Sequence, residues 1–282
     1  MLRTACVALL CLGLSACAAL NPKQDQWAQR SDVLLGAQLT AATSTLAQSP
    51  PPKILLAAFA MHSDSLAFQG DTELFLQRFG ELAPQAARLH LSNRPAFREL
   101  PLPFATGGTL GHSFATLGRQ LDTDSLVVIL ISSHGNKNVL AVDIAGDDFP
   151  AISGRRLRTE LDKLGNVRSI VIVSACFSGS LIPALEHERR IILTAASAER
   201  PSFGCQTNSS NTFFIDGLLR DLDTDLSLRQ LYAQAQQRVT AREKAMKVLP
   251  SEPQMSVGAA MQELAERPLR ELLAPAQKNG AP

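Results

Sequence analysis

Cysteine is scarce in this chain of 282 residues, which has only Cys6, Cys11, Cys17, Cys176 and Cys205. The first three crowd the N-terminus, so Cys176 and Cys205 alone belong to the folded part, and a disulfide framework is excluded. A bridge between those two is formally possible in an oxidising compartment, but free thiols are expected. Charge of one sign is also lacking. Lys and Arg total 27 against 26 Asp and Glu, with no basic block, so no field steers the protein onto nucleic acid. Long apolar runs are missing too. The run from Thr4 to Leu14 falls short of the roughly 20 residues that a permanent membrane helix needs.

Several motifs are absent as well. Gly111-His112-Ser113-Phe114-Ala115 lacks the preceding strand and final glycine of a serine-hydrolase elbow, which makes Ser113 a helix residue. Gly107-Gly108-Thr109-Leu110-Gly111 lacks the Lys-Ser/Thr pair of a phosphate loop. The histidines at 62, 90, 112, 134 and 187 share no metal-ligand spacing, so neither a metal nor another cofactor is expected. There is no internal repeat.

Met1-Leu2-Arg3 followed by the short apolar run reads as an export signal over residues 1–16. Leu14-Ser15-Ala16-Cys17 resembles a bacterial lipobox, which implies acylation of Cys17 and a lipid anchor in the cell envelope, on an outer membrane facing the periplasm. Residues 17–52 end in Ser49-Pro50-Pro51-Pro52 and read as a tether with one helix around Trp27 to Leu46. The main domain is expected over 53–257, followed by a C-terminal helix and a tail, poorly ordered from Pro268, over 258–282.

Within that domain, apolar runs at Ile54 to Ala60, Leu126 to Ser132, Ile170 to Ala175 and Ile191 to Ala196 are apolar on both faces, with a weaker one at Ala87 to Leu91. Such runs suit buried strands of a parallel sheet. Helix-period segments separate them: Asp71 to Leu82, Thr109 to Leu121, Ser153 to Leu164 and Ser178 to Glu186. The alternation predicts an open α/β sheet with helices on both faces. Asn138 to Asp143 reads as a hairpin, Ser227 to Val248 as an amphipathic helix and Pro250 to Val257 as a last strand.

Two strands end in chemically loaded turns, Ser132-Ser133-His134-Gly135 and Ser174-Ala175-Cys176-Phe177-Ser178-Gly179. In an open parallel sheet, functional groups gather beyond the carboxyl ends of the strands. A thiol needs a cationic neighbour or a helix N-terminus to become a thiolate at neutral pH. His134 offers the first, and a helix opening near Ser178 would offer the second. The same imidazole can protonate a leaving amine. Gly135, with no side chain, leaves its N–H open to a developing oxyanion, and the N–H of Cys176 is a second donor. These are the parts that acyl transfer requires.

Ser133-His134-Gly135, Ser174-Ala175-Cys176-Phe177-Ser178-Gly179, Thr194-Ala195-Ala196-Ser197 and Ser202-Phe203-Gly204-Cys205 resemble successive blocks of the legumain family, in the clan of caspases, gingipains and separase. The resemblance runs from about Lys53 to about Val257. It implies a caspase/haemoglobinase fold with a mostly parallel six-stranded sheet, a His134–Cys176 dyad, and a peptide or protein as substrate. It further implies a substrate pocket with Ser202 on its wall and Asp216 at its base, although Asp216 also reads as a carboxylate favoured in the first turn of a helix. Ser174 stands where animal and plant legumains carry a pocket glutamate. The asparagine and arginine that some members place after the first strand have no counterpart in Ala60-Met61-His62-Ser63-Asp64-Ser65, so cleavage after asparagine does not follow. Two other readings use the same residues: an envelope lipoprotein that keeps the fold as a binding module, and a transamidase in which an amine intercepts the acyl-enzyme. The sequence leaves the oligomeric state open.

Overall fold

The apolar runs form the centre of the molecule. The computed structural model describes residues 22–94 and 99–274, so the export signal, Cys17 and the last eight residues lie outside the described residues. The strands are β1 (Ile54–Ala60), β2 (Ala87–Ser92), β3 (Leu126–Ser132), β4 (Gly135–Asn136), β5 (Val139–Ile144), β6 (Asp147–Ser153), β7 (Arg168–Ser174), β8 (Arg190–Thr194) and β9 (Gln254–Val257). Six of them form one sheet in the order β2-β1-β3-β7-β8-β9. Every neighbouring pair is parallel except β8 and β9.

The helices are α1 (Pro22–Gln48), α2 (Leu66–Leu82), α3 (Gly107–Gly118), α4 (Gly154–Asp162), α5 (Ile182–Leu185), α6 (Phe213–Leu219), α7 (Leu228–Met246), α8 (Gln262–Glu266) and α9 (Leu269–Leu273). Successive strand side chains point to opposite faces. Leu55, Phe59, Ile129 and Val171 therefore pack on one side against α1, α3 and α4, whereas Leu56, Val128, Leu130 and Ile172 pack on the other against α2, α6 and α7. Both faces are covered, which is why the runs show no polar alternation. The expected α/β class, a mostly parallel sheet of six strands between two helical layers, is the observed one. Ser113 lies inside α3 and donates to the Thr109 carbonyl at 2.8 Å, as a helix residue does.

Two expectations about the ends change. The helix read as part of a tether is docked onto the core: Leu35, Leu39, Ala42 and Leu46 are buried against the sheet. Its Gln38 amide also pairs with the outer edge of β2, accepting from the His90 N–H and donating to the His90 carbonyl, both at 2.9 Å. An open edge strand is a site for unwanted pairing, and α1 closes this one. Leu46→Ala is accordingly expected to lower unfolding free energy by about 2–5 kcal/mol in denaturant titrations, whereas a tether residue would change nothing. At the other end, the chain from Pro268 to residue 274 is ordered, with Leu269 and Leu273 buried in the core. Helix-period leucines at 269, 272 and 273 explain the docking.

The hairpin after β3 is a small antiparallel sheet in the order β4-β5-β6. It stands beyond the carboxyl end of the main sheet, beside the turns that follow β3 and β7.

Candidate active site

β3 and β7 are neighbours, with Ser132 paired to Ser174 in the last rung of the ladder. His134 and Cys176 each stand two residues past that rung, so the register alone brings both to one edge of the sheet. The turns then touch. A β-carbon at Gly135 would lie 2.6 Å from the Cys176 carbonyl oxygen and 3.0 Å from Ala175 Cβ, a space only glycine fits. Because the Ala141 N–H donates to the His134 carbonyl at 3.0 Å, Gly135 occupies the next, non-hydrogen-bonded position opposite Leu140. The alternation of an antiparallel ladder turns its N–H away from β5. Among the described residues, the Cys176 N–H has no hydrogen-bond partner.

Donors around the sulfur differ from those expected. The helix read over 178–186 is a single 3₁₀ turn, Ser178–Leu181, followed by the four residues of α5. Pro183 and the left-handed Phe177 (φ 55°) interrupt any longer helix, and the Gly179 and Ser180 N–H groups are spent on the Ala196 and Phe177 carbonyls. No macrodipole of useful length faces the thiol. Ser202 supplies the donors instead: its N–H lies 3.3 Å and its hydroxyl 3.7 Å from Cys176 Sγ, while its carbonyl accepts from the thiol at 3.5 Å. The strained backbone at Phe177 directly follows the cysteine, in keeping with the clustering of such residues at functional sites.

The imidazole is held from the other side. His134 Nε2 lies 3.1 Å from Asp64 Oδ2, and the ring packs edge-to-face against His62 and Phe68 at centroid distances of 4.6 and 4.9 Å. A carboxylate that accepts from Nε2–H leaves Nδ1 to take a proton. Asp64 and His62 come from the loop after β1, which is anchored at several points. The Met61 N–H donates to the Ser132 carbonyl at 2.9 Å, Asn93 Nδ2 donates to the Met61 carbonyl at 2.8 Å, and the buried Asp143 accepts from the Ser63 hydroxyl and N–H. His62 Nδ1 lies 2.9 Å from Asp64 Oδ1, so the two imidazoles flank one carboxylate. The ligand atoms of His62, Asp64 and His134 all fall within 4.8 Å of one another, a grouping suited to a cation that the sequence spacing did not disclose.

Beneath the strand ends lies a buried polar network that sequence reasoning missed. Asp71 of α2, fully buried, accepts from the Ser132 hydroxyl at 2.7 Å and from the Thr212 N–H and hydroxyl at 2.9 and 2.8 Å. Thr212 caps α6 and also pairs with the Ser174 hydroxyl at 2.8 Å. The signal was present: Asp71 sits between Phe68 and Phe75 at helical spacing, a carboxyl in an apolar stripe. Ser174 therefore does not line the cleft. It is the strand residue whose side chain turns to the α2 and α6 side, where it is 1% exposed. Burial pushes the Asp71 carboxyl up to about 7, against the lowering effect of its donors. A folded-state value raised above 3.8 makes this carboxyl cost stability as pH rises from about 4 to about 7, and no further above that. The melting midpoint of Asp71→Asn is expected to gain on wild type by about 5 °C across that window, measured by calorimetry.

Asp216 lies in the first turn of α6 with its carboxylate committed to Arg220 and, at 3.3 Å, to Arg242, which also covers the Phe213 ring. Its charge is thus met within the protein. Cys205, the second thiol, follows Gly204, whose φ of +92° suits only glycine. Neither thiol is in a disulfide, and burial, then the nearby Cys176, pushes the Cys205 thiol up. Among the described residues no helix is long and apolar enough to cross a membrane.

A thiol and an imidazole delivered to one end of an α/β sheet are the equipment of a cysteine peptidase. The chain belongs to the peptidase C13 family, whose model matches residues 118–263, more than half of its length and inclusive of His134 and Cys176. No curated protein matches it in sequence. Among solved structures it is similar to caspase-1 from Spodoptera frugiperda, with 14% identity over 73% of this chain and 85% of that chain and a TM-score of 0.48.

Proposed function

We propose that the protein is an endopeptidase in which the Cys176 thiolate attacks a peptide carbonyl and His134 transfers the protons. The close approach of Gly135 to the Cys176 carbonyl carries the reading, because it sets the histidine and cysteine turns side by side at the mouth of the sheet. His134 Nδ1 takes the thiol proton, and the thiolate bonds to the carbonyl carbon. The resulting oxyanion is held by the Gly135 and Cys176 N–H groups, both unoccupied by the ladder beside them. His134 then gives its proton to the leaving amine, leaving a thioester that water, activated by the same imidazole, hydrolyses.

Asp64 is the positioning residue for that imidazole. Asp64→Asn is expected to lower kcat about tenfold with KM within about twofold, and Asp64→Glu to recover part of the loss. A change confined to KM would remove Asp64 from this role.

The substrate residue before the scissile bond is read beside Ser202, whose backbone and hydroxyl border the sulfur. Since Arg220 and Arg242 already meet the charge of Asp216, a basic side chain gains little from it. Acylation of Cys17 would hold the enzyme in the bacterial cell envelope, where it meets exported proteins. Incubating the purified chain with peptides varied at the residue before the cleavage point, and mapping products by mass spectrometry, tests the function. Cleavage of none of the peptides would overturn it.

A further inference from the structure

Two imidazoles flank the Asp64 carboxylate. His62 Nδ1 and His134 Nε2 address opposite oxygens of one carboxylate at 2.9 and 3.1 Å, and the three ligand atoms lie within 4.8 Å of one another. Two imidazole nitrogens and a carboxylate oxygen are a donor set for a divalent transition cation, zinc above all, and an open fourth position suits water or a substrate group. The set is also largely preformed. His62 is 15% exposed at its side chain and wedged against Phe68 and His134. Its loop is tied to Ser132, Asn93 and Asp143 by the bonds described above, so little ordering is needed to bind an ion. Asp64, at 55% exposure, leaves the approach open.

We propose that His62, Asp64 and His134 form a zinc-class cation site whose occupancy switches the peptidase off. The inhibitory half rests on the reading of His134 as the proton carrier. The cation takes the place of the Nε2 proton of His134, and the ring's one proton passes through solvent to Nδ1, so the metallated imidazole stays neutral. A ring metallated at Nε2 retains its proton at Nδ1 and releases it far less readily than an imidazolium does. It can therefore neither accept the Cys176 proton nor protonate the leaving amine. The same ion draws the Asp64 carboxylate away from its role as orienter.

The test uses the purified full chain, titrated calorimetrically with Zn²⁺, and with Co²⁺ for its ligand-field absorption. One equivalent is expected to bind. His62→Ala, with His62→Gln as a second variant and circular dichroism as a check on folding, should weaken binding at least tenfold. Cys176→Ala should bind as wild type does. Peptide turnover, expressed relative to each protein's own metal-free rate, should be lost on Zn²⁺ addition in wild type and need at least tenfold more Zn²⁺ in the His62 variants. No binding, binding indifferent to His62, or binding lost in Cys176→Ala would overturn the site, the last by moving the ion to the thiol. Undiminished turnover with the site saturated would overturn the inhibition and the role of His134 together. A chain that binds Zn²⁺ through His62 yet cleaves no peptide would keep the site and remove the peptidase reading instead.

Discussion

Cys176→Ala is expected to abolish peptide cleavage, with a loss of about four orders of magnitude or more in kcat and a fold indistinguishable from wild type. The size follows from what the sulfur does. In the proposed mechanism it is the atom that bonds to the carbonyl carbon, so without it no thioester would form, and what would remain is substrate binding plus two proposed oxyanion donors acting on water. The fold should tolerate the change because Cys176 is only half-buried, outside the strands, and among the described residues its side chain bonds to Ser202 alone. Cys205→Ala is the matched control, since that thiol takes no part in the proposed chemistry, and it should retain activity. Cleavage of the same bonds by Cys176→Ala would sink the assignment of the nucleophile. Turnover that vanished in Cys205→Ala instead would move the nucleophile to the other thiol.

Gly135→Ala is the second large effect, about a hundredfold in kcat/KM with little change in overall stability. A methyl group there would sit 2.6 Å from the Cys176 carbonyl oxygen and 3.0 Å from Ala175 Cβ. Neither neighbour is the end of a flexible side chain, so the turns after β3 and β7 must separate. Parting them would shift the imidazole from the thiol and the Gly135 N–H from the proposed oxyanion in one step, and displacements of about an ångström cost about that factor. Steady-state kinetics on the best peptide decides the matter. Wild-type kcat/KM in Gly135→Ala would mean that the two turns are not coupled in the working enzyme.

Both predictions draw on residues that stand out in the bare sequence. β1 and β3 coincide with the apolar runs read for them, because a strand buried on both faces must be apolar at every position and so announces its own length. His134 and Cys176 stood out for the same reason: each ends such a run and adjoins a glycine-bearing turn. Ser178-Gly179 reads locally as the opening of a helix, and in the structure it is one 3₁₀ turn. Local pattern cannot tell one 3₁₀ turn from an α-helix when Phe177 takes a left-handed conformation that tertiary contacts impose.

Sequence by itself determined the strands of the main sheet, the parallel α/β class and the two side chains carried to the strand ends, since each follows from local periodicity. Only the tertiary structure decided what surrounds them. Asp64 and His62 reach His134 across 70 and 72 positions of chain, Ser202 reaches Cys176 across 26, and Asp71 joins α2 to the cap of α6 across 141. The docking of α1 likewise depended on finding an open edge of β2. Such partners are set by strand order and by which loops meet at the carboxyl edge of the sheet. Order and meeting are properties of the packed whole, and no spacing along the chain records them.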